Sequence, residues 1–326
     1  FKVSARIISI ETATVLKAVS YDHEGKLSDL LRGGMNNVAL ELSGQKKKIV
    51  PSIAIIPLDN KGADEDEFYV YGISADLISD VSGAGLIRVA SLKKIEELGD
   101  IPIDEIAKKL FVRYITTGTL WKIGNVFQLS LELYDTKESK VLWSDRWQEQ
   151  WENLPSIKGK LAENILSVLN VTTKQDIAQA PTTNPEAYEF YLKGKYKHDK
   201  REDMEDTEIA RGLFRKAIEL DGNLIEAKNE LGWTYTITGA YDKAMEIYEE
   251  ALKQAKEIEN KNGIGVSLNG IGNLFSNKGA YDKALNYYSR SLKIQEDLGD
   301  KSGISYTLNN IGIIYKRKGD YNQALD

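Results

Sequence analysis

This sequence predicts a mixed α/β region, built in tandem, followed by an all-α solenoid of helical hairpins. Two observations carry the prediction. Between Val112 and Trp147 the segments VRYITTGTL, VFQLSLELY and VLWSDRW are apolar and separated by short turn sequences. From Gly232 onward, Gly232, Gly272 and Gly312 recur every 40 residues, as do Gly239, Gly279 and Gly319, Tyr241, Tyr281 and Tyr321, and Ala244, Ala284 and Ala324. Between the two patterns, residues 172–185 mix Pro181 and Pro185 with Thr, Gln and Asn, a composition that resists helix and strand and marks a linker.

Within the first pattern Phe127, Leu129, Leu131 and Leu133 alternate with Gln128, Ser130, Glu132 and Tyr134, which puts one set on one face of a sheet. Gly124-Asn125 and Asp135-Thr136-Lys137 supply turn chemistry on either side, so an antiparallel meander is expected. Upstream, residues 52–57 are apolar almost throughout and read as a central strand covered on both faces. An acidic loop is expected over 59–67, a helix from about Gly72, a strand over 86–90 and a helix capped by Ser91. A further helix carries Ile103, Ile106 and Leu110, and a last one carries Leu154, Ile157, Leu161 and Ile165. Residues 49–171 thus form one complete α/β domain.

The same strand-strand-helix pattern occurs at the start of the chain. With an offset of 126, Phe1-Lys2-Val3-Ser4 falls on Phe127-Gln128-Leu129-Ser130 and Val15-Leu16 on Val141-Leu142. Leu27, Leu30, Met35, Val38 and Leu42 then repeat the helical stripe. Residues 1–44 are expected to be the C-terminal part of a truncated second copy; the other reading is chance likeness of two generic units.

A period of 40 residues signals stacked helical hairpins, each too small to bury its apolar face alone. The array is expected over 186–326, as a degenerate first repeat, two full repeats and a truncated one. In the first repeat Gly194, Ala210, Phe214 and Ala217 hold the corresponding places, with a longer turn through Asp199 to Asp206.

Family resemblances follow these patterns. LGWTYTITGAYDKAMEIYEEAL resembles the tetratricopeptide repeat, with small residues where paired helices cross. PSIAIIPLDN, YGISADLISDVS, IAKKLFVRYITTGTL and VLWSDRW resemble the TolB N-terminal-like domain, and VSARIISIETATVL with LLRGGMNNVALELSG resembles the end of the CsgG or FlgO type of domain. These resemblances imply a bacterial protein of the periplasm or cell envelope that binds proteins. Similar domains also stand beside nucleotide cyclases and winged-helix regulators, which implies a regulatory or sensory half as the alternative.

Composition narrows the chemistry. A net charge of -6 and a pI near 5.3 argue against nucleic acid as the main partner. Without cysteine there is neither a disulfide framework nor a thiolate metal site, which is compatible with any compartment, the cytoplasm included. No apolar run reaches the length of a transmembrane helix. His23 and His198 are the only histidines and lie in different domains, which speaks against a histidine-based metal site or nucleophile relay. No phosphate-cradling glycine loop is present, and the run Asp64 to Glu67 reads as a solvated loop. The expectation is therefore no enzyme, no cofactor and no metal.

The binding residues are expected in the array. Asn229, Asn269 and Asn309 fall at 40-residue intervals, three before each repeat glycine, and resemblance to other tetratricopeptide arrays places them on the concave side. Trp233, Asn273, Ile313 and Arg317 would line the same groove. Such amides suit the backbone of an extended peptide, while the competing reading is that they bond neighbouring helices. Trp143 and Trp147 offer a possible second surface, against the reading that they close the edge of the core.

Overall fold

The computed structural model describes residues 2–8, 15–22, 50–84, 87–99, 101–172 and 180–320. The chain divides into two compact units, Phe1–Val50 and Pro51–Asp326.

In the first unit β1 (Lys2–Ile8) and β2 (Val15–Asp22) form an antiparallel hairpin. It pairs Lys2 with Asp22 and Val3 with Tyr21, and the register shifts after Ile7–Lys17 so that Ile8 meets Val15. The last hairpin of the second unit pairs Gln128 with Gln148 and Leu129 with Trp147, and shifts after Leu133–Trp143 so that Tyr134 meets Val141. Each pair differs from its counterpart by 126 positions, and the irregularity falls at the same place. A register slip of one residue reverses every side chain, and a bulge at a fixed place is a second constraint, so the two hairpins share more than apolar alternation. The helix expected over 27–42 lies outside the described residues.

The second unit begins with β3 (Ser52–Ile55), β4 (Asp59–Asn60), α1 (Glu67–Gly83) and β5 (Arg88–Val89). Then come α2 (Leu92–Glu96), α3 (Ile103–Leu110), β6 (Tyr114–Ile123), β7 (Val126–Asp135), β8 (Lys140–Gln150) and α4 (Ile157–Val168). Six strands make one mixed sheet in the order β5-β3-β6-β7-β8, with β4 parallel to β6. β3 is parallel to both neighbours, whereas β6, β7 and β8 are the expected antiparallel meander. Gly124 takes a left-handed φ of 57° in its first turn, the conformation that glycine adopts without steric cost. Phe127, Leu129, Leu131 and Leu133 are buried, and α1 and α4 pack against each other in the same core.

Local differences from the sequence reading have local causes. α1 opens at Glu67, five residues before Gly72, because a 3-10 turn over Asp64–Asp66 leads straight into it. The first strand stops at Ile55, and Ser91 stands at the N-cap position without a side-chain hydrogen bond to its helix.

Among the described residues seven helices follow: α5 (Pro185–Asp199), α6 (Met204–Leu220), α7 (Ile225–Ile237), α8 (Tyr241–Glu257), α9 (Lys261–Asn277), α10 (Tyr281–Leu298) and α11 (Lys301–Lys318). Pro185 occupies the first turn of α5, where its missing N–H costs nothing, and the Asn184 side chain accepts from the N–H groups of Glu186 and Ala187. Gly239, Gly279 and Gly319 have φ of 78°, 74° and 80°, which accounts for one glycine column. The other column packs against aromatic rings. A Cβ on Gly194 would lie 2.7 Å from Phe214, one on Gly232 would lie 2.8 Å from Tyr248, and one on Gly272 would lie 2.5 Å from Tyr288.

Ala284 is fully buried in a small cluster with Tyr288 and Ile314, beside Phe275 and Ile311. Ala284→Phe is expected to overpack this crossing and to lower stability by about 1–3 kcal/mol. Thermal unfolding followed by circular dichroism reads the loss.

Candidate functional site

The glycine contacts fix which residues the first helix of each hairpin presents to its neighbours. Asn229 and Asn269 are both buried. The Asn229 Oδ1 accepts from the Ser267 hydroxyl at 2.9 Å, and the Asn269 Nδ2 donates to the Thr307 hydroxyl at 2.7 Å. Each amide therefore bonds a hydroxyl 38 positions on, in the first helix of the next hairpin. On α11 the bonding residue is Asn310, whose Nδ2 donates to Asn269 Oδ1 at 3.3 Å and to Asn273 Oδ1 at 3.2 Å, while Asn309 is exposed.

The array also joins the sheet domain. The core containing Ile73 and Leu77 of α1 continues without a break through Tyr188, Leu192 and Phe214. Gly72 lies against Leu192, where an added Cβ would come within 2.6 Å of Cδ2. Polar groups line the joint. Asp76, buried, accepts from Lys195 Nζ at 2.5 Å and from the Tyr188 hydroxyl at 2.7 Å. Burial alone would raise the Asp76 carboxyl, but the Lys195 and Lys158 charges and these hydrogen bonds together hold it below its ordinary value. Lys158 pairs with Asp80 at 3.0 Å; there burial wins, and the Asp80 carboxyl is pushed up. At the other end of the joint Glu189 accepts from the Tyr69 hydroxyl at 2.6 Å and from Trp151 Nε1 at 2.9 Å.

Beside this joint, the first helices of the array and the end of α1 line an open cavity of about 470 Å³. Ser79, Asp80 and Gly83 of α1 and Asn229, Glu230 and Trp233 of α7 line it. α5 contributes His198 and Asp199, α9 contributes Asn269 and Asn273, and α11 contributes Gly303 and Tyr306. Of the residues expected from the sequence, Asn229, Trp233, Asn269 and Asn273 therefore share one cavity. Asn309, Ile313 and Arg317 lie on α11 outside it, exposed, with Arg317 reaching Ser276 at 3.4 Å.

Asp80, His198, Asp199, Glu230, Asp300 and Tyr306 are among the lining residues that sequence reasoning missed. Glu230 follows Asn229 directly and was within reach of the repeat register. Asp80 comes from a helix of the sheet domain that only the tertiary fold brings to the array, and His198 from the degenerate first repeat. Burial pushes the Glu230 carboxyl up to about 7; the Lys195 charge opposes this, and Asp199 and Asp76 add to it. Folded protein thus holds a proton on Glu230 that the unfolded chain releases near the ordinary value of 4.5. The resulting stability is full below that value and is lost as pH rises to about 7. Glu230→Gln is expected to flatten this slope by about 2 kcal/mol, less than full linkage because the side chain is partly exposed. Urea denaturation of both proteins at pH 5 and pH 8 measures it.

Trp143 and Trp147 on β8 pair with Leu133 and Leu129 and pack, half-buried, against the core. Apolar exposure on that strand falls on Val141 and Leu142.

Comparison with known proteins adds the following. Tetratricopeptide-repeat family models match residues 225–257 and 263–326. Over 188 residues the chain is 24% identical to the Rhizobium meliloti (strain 1021) protein named "Putative adenylate cyclase 3", covering 56% of this chain and 32% of that one. The chain thus spans about a third of the length of the curated relative it matches. Among solved structures, TolB from Acinetobacter baumannii is similar with 16% identity and a TM-score of 0.30, covering 37% of this chain and 28% of that one. BtubC from P. vanneervenii is similar with 19% identity and a TM-score of 0.37, covering 53% and 72%. The lipoprotein GNA1162 from Neisseria meningitidis is similar with 20% identity and a TM-score of 0.27, covering 36% and 94%. Beyond the sheet domain, the chain therefore carries tetratricopeptide repeats, over residues 225–257 and 263–326.

Proposed function

We propose that the chain is a non-enzymatic scaffold that binds a protein partner, as an extended segment, through the inner helices of its tetratricopeptide array. The observation that supports this most is the cavity lined by Asn229, Trp233, Asn269 and Asn273, where amides and an indole from successive hairpins meet. Amide groups offer both donor and acceptor to a peptide backbone, and a half-buried tryptophan supplies the apolar anchor typical of binding hot spots. Asn229, Asn269 and Asn273 all bond neighbouring helices, Asn273 by accepting from the Tyr288 hydroxyl at 2.7 Å and from Asn310 Nδ2 at 3.2 Å, so Trp233 is the better probe. A partner captured by the whole chain should bind a Trp233→Ala variant about tenfold more weakly in calorimetry. Undiminished affinity would remove the cavity from consideration and turn attention to the sheet edge at Trp143 and Trp147. By its resemblances this reading puts the protein in the periplasm or cell envelope, which fractionation of the native cells tests. No helix among the described residues is long and apolar enough to cross a membrane.

A second reading is favoured by the relative named as a cyclase: the chain would be the regulatory part of a signalling protein, with catalysis in another domain. Turnover of ATP to cyclic AMP by this chain alone would contradict both readings.

A further inference from the structure

At the end of α3 in the sheet domain, Phe111 is 82% exposed, more than any other large apolar side chain among the described residues. Its backbone is unusual as well. With φ of 53° and ψ of 42° it takes the left-handed conformation, at a helix end where glycine or asparagine usually stands. A bulky side chain is strained there. Neither burial within the chain nor backbone preference therefore selects phenylalanine at this position.

Next to Phe111 lies an open recess of about 370 Å³, lined by Asp104, Ala107 and Lys108 of α3, by Val112, and by Thr136 and Ser139 of the turn between β7 and β8. Phe111 itself does not line it. Its walls are firmly held. Ala107 and Val112 are buried, and Arg113 donates to the Asp135 carboxylate from Nη2 at 2.6 Å and from Nε at 3.1 Å. The Thr136 N–H and hydroxyl both donate to the Arg113 carbonyl, at 3.0 and 2.8 Å. A cavity of about 150 Å³ is enough for a benzene ring, so the recess can admit a phenyl group, and walls already in place lower the cost of filling it.

The exposed face of α3 adds a charge pattern. Asp104 and Glu105 stand in its first turn and Lys108 and Lys109 in its last, all four exposed. They have the i, i+4 spacing that favours pairing along a helix, yet none makes an ion pair among the described residues. Turned end for end, the order of charges inverts, so α3 is complementary to α3 of a second copy lying antiparallel to it. The lysines of each copy then meet the acids of the other, and Phe111 comes to the Asp104 end of the other copy's recess. A twofold axis makes every such contact twice. A second copy already carries the ring, the recess and both charge pairs on one face.

We propose that this face of the sheet domain is a homodimer interface, in which α3 packs antiparallel to α3 of a second copy and Phe111 of each chain enters the recess of the other. It is separate from the array and does not depend on what the array binds.

Sedimentation equilibrium of the whole chain is expected to show monomer and dimer exchanging with a Kd of about 10 µM, as suits a small interface. Phe111→Gly should weaken the dimer by about tenfold or more. The same variant should unfold at an unchanged or higher temperature in dilute solution, because glycine takes the left-handed conformation without strain. Charge reversal gives an independent readout. Asp104→Lys/Glu105→Lys makes the face basic throughout, and Lys108→Glu/Lys109→Glu makes it acidic throughout. Each should stay monomeric alone, while the two mixed should form a heterodimer about as tight as the wild-type dimer. A wild-type chain still monomeric at about 200 µM, a dimer indifferent to Phe111→Gly, or charge-reversed chains that do not associate on mixing would overturn the proposal.

Discussion

Replacing Asp76 by alanine is expected to lower the unfolding free energy by about 3–5 kcal/mol, the largest effect of any single substitution considered. Asp76 sits on α1 and receives Lys195 and Tyr188 from α5; Asp76 and Tyr188 are buried and Lys195 is half-buried. Removing the carboxylate leaves an ammonium and a phenol buried without their acceptor, and that uncompensated cost exceeds what the intact pair contributes. Because Lys158 faces both Asp76 and Asp80, part of the loss can be recovered through Asp80. A double-mutant cycle with Lys195→Met separates the pair from its surroundings. The outcome that would refute this account is a stability change below about 1 kcal/mol, the value of an exposed ion pair. Tryptophan fluorescence and helical circular dichroism should fall together in the variant, since the sheet domain and the first hairpins share their core.

Gly272→Val is the second large effect, expected at about 3 kcal/mol. The added Cβ would stand 2.5 Å from Cε1 and 2.6 Å from Cδ1 of Tyr288, whose ring is fully buried between α9 and α10. Helix backbone and ring cannot both stay in place. Repeat arrays transmit such damage chiefly to their neighbours, so amide exchange should accelerate across α9 to α11 while β6, β7 and β8 keep their protection. Uniform acceleration over the whole chain, or none, would contradict the register that places Gly272 at the crossing.

Particular residues show how far the sequence reaches. Period-two alternation in 127–133 and the turn residues at 124–125 placed the meander, because each strand states its own facing and each turn its own geometry. The offset of 126 aligned two hairpins whose pairing then matched to the bulge, a correspondence carried by backbone hydrogen bonds that letters alone express only as apolar likeness. The Asn column is legible as a column, but its partners Ser267 and Thr307, themselves 40 apart, lie on the next first helix, and the bonding amide of α11 is Asn310 rather than Asn309.

By itself the sequence determined the repeat. Helical periodicity fixes which small residues face which rings within a hairpin, and the period of 40 fixes how each hairpin meets the next. Tertiary structure alone decided that the array leans on α1, that Asp76 and Asp80 meet Lys195 and Lys158, and that His198 and Glu230 end in one cavity with Trp233. These contacts join residues far apart in the chain, 119 positions for Asp76 and Lys195 and 78 for Asp80 and Lys158. They depend on the accumulated turn of several hairpins and on the shape of a surface outside the array, and no local preference of the chain encodes either quantity.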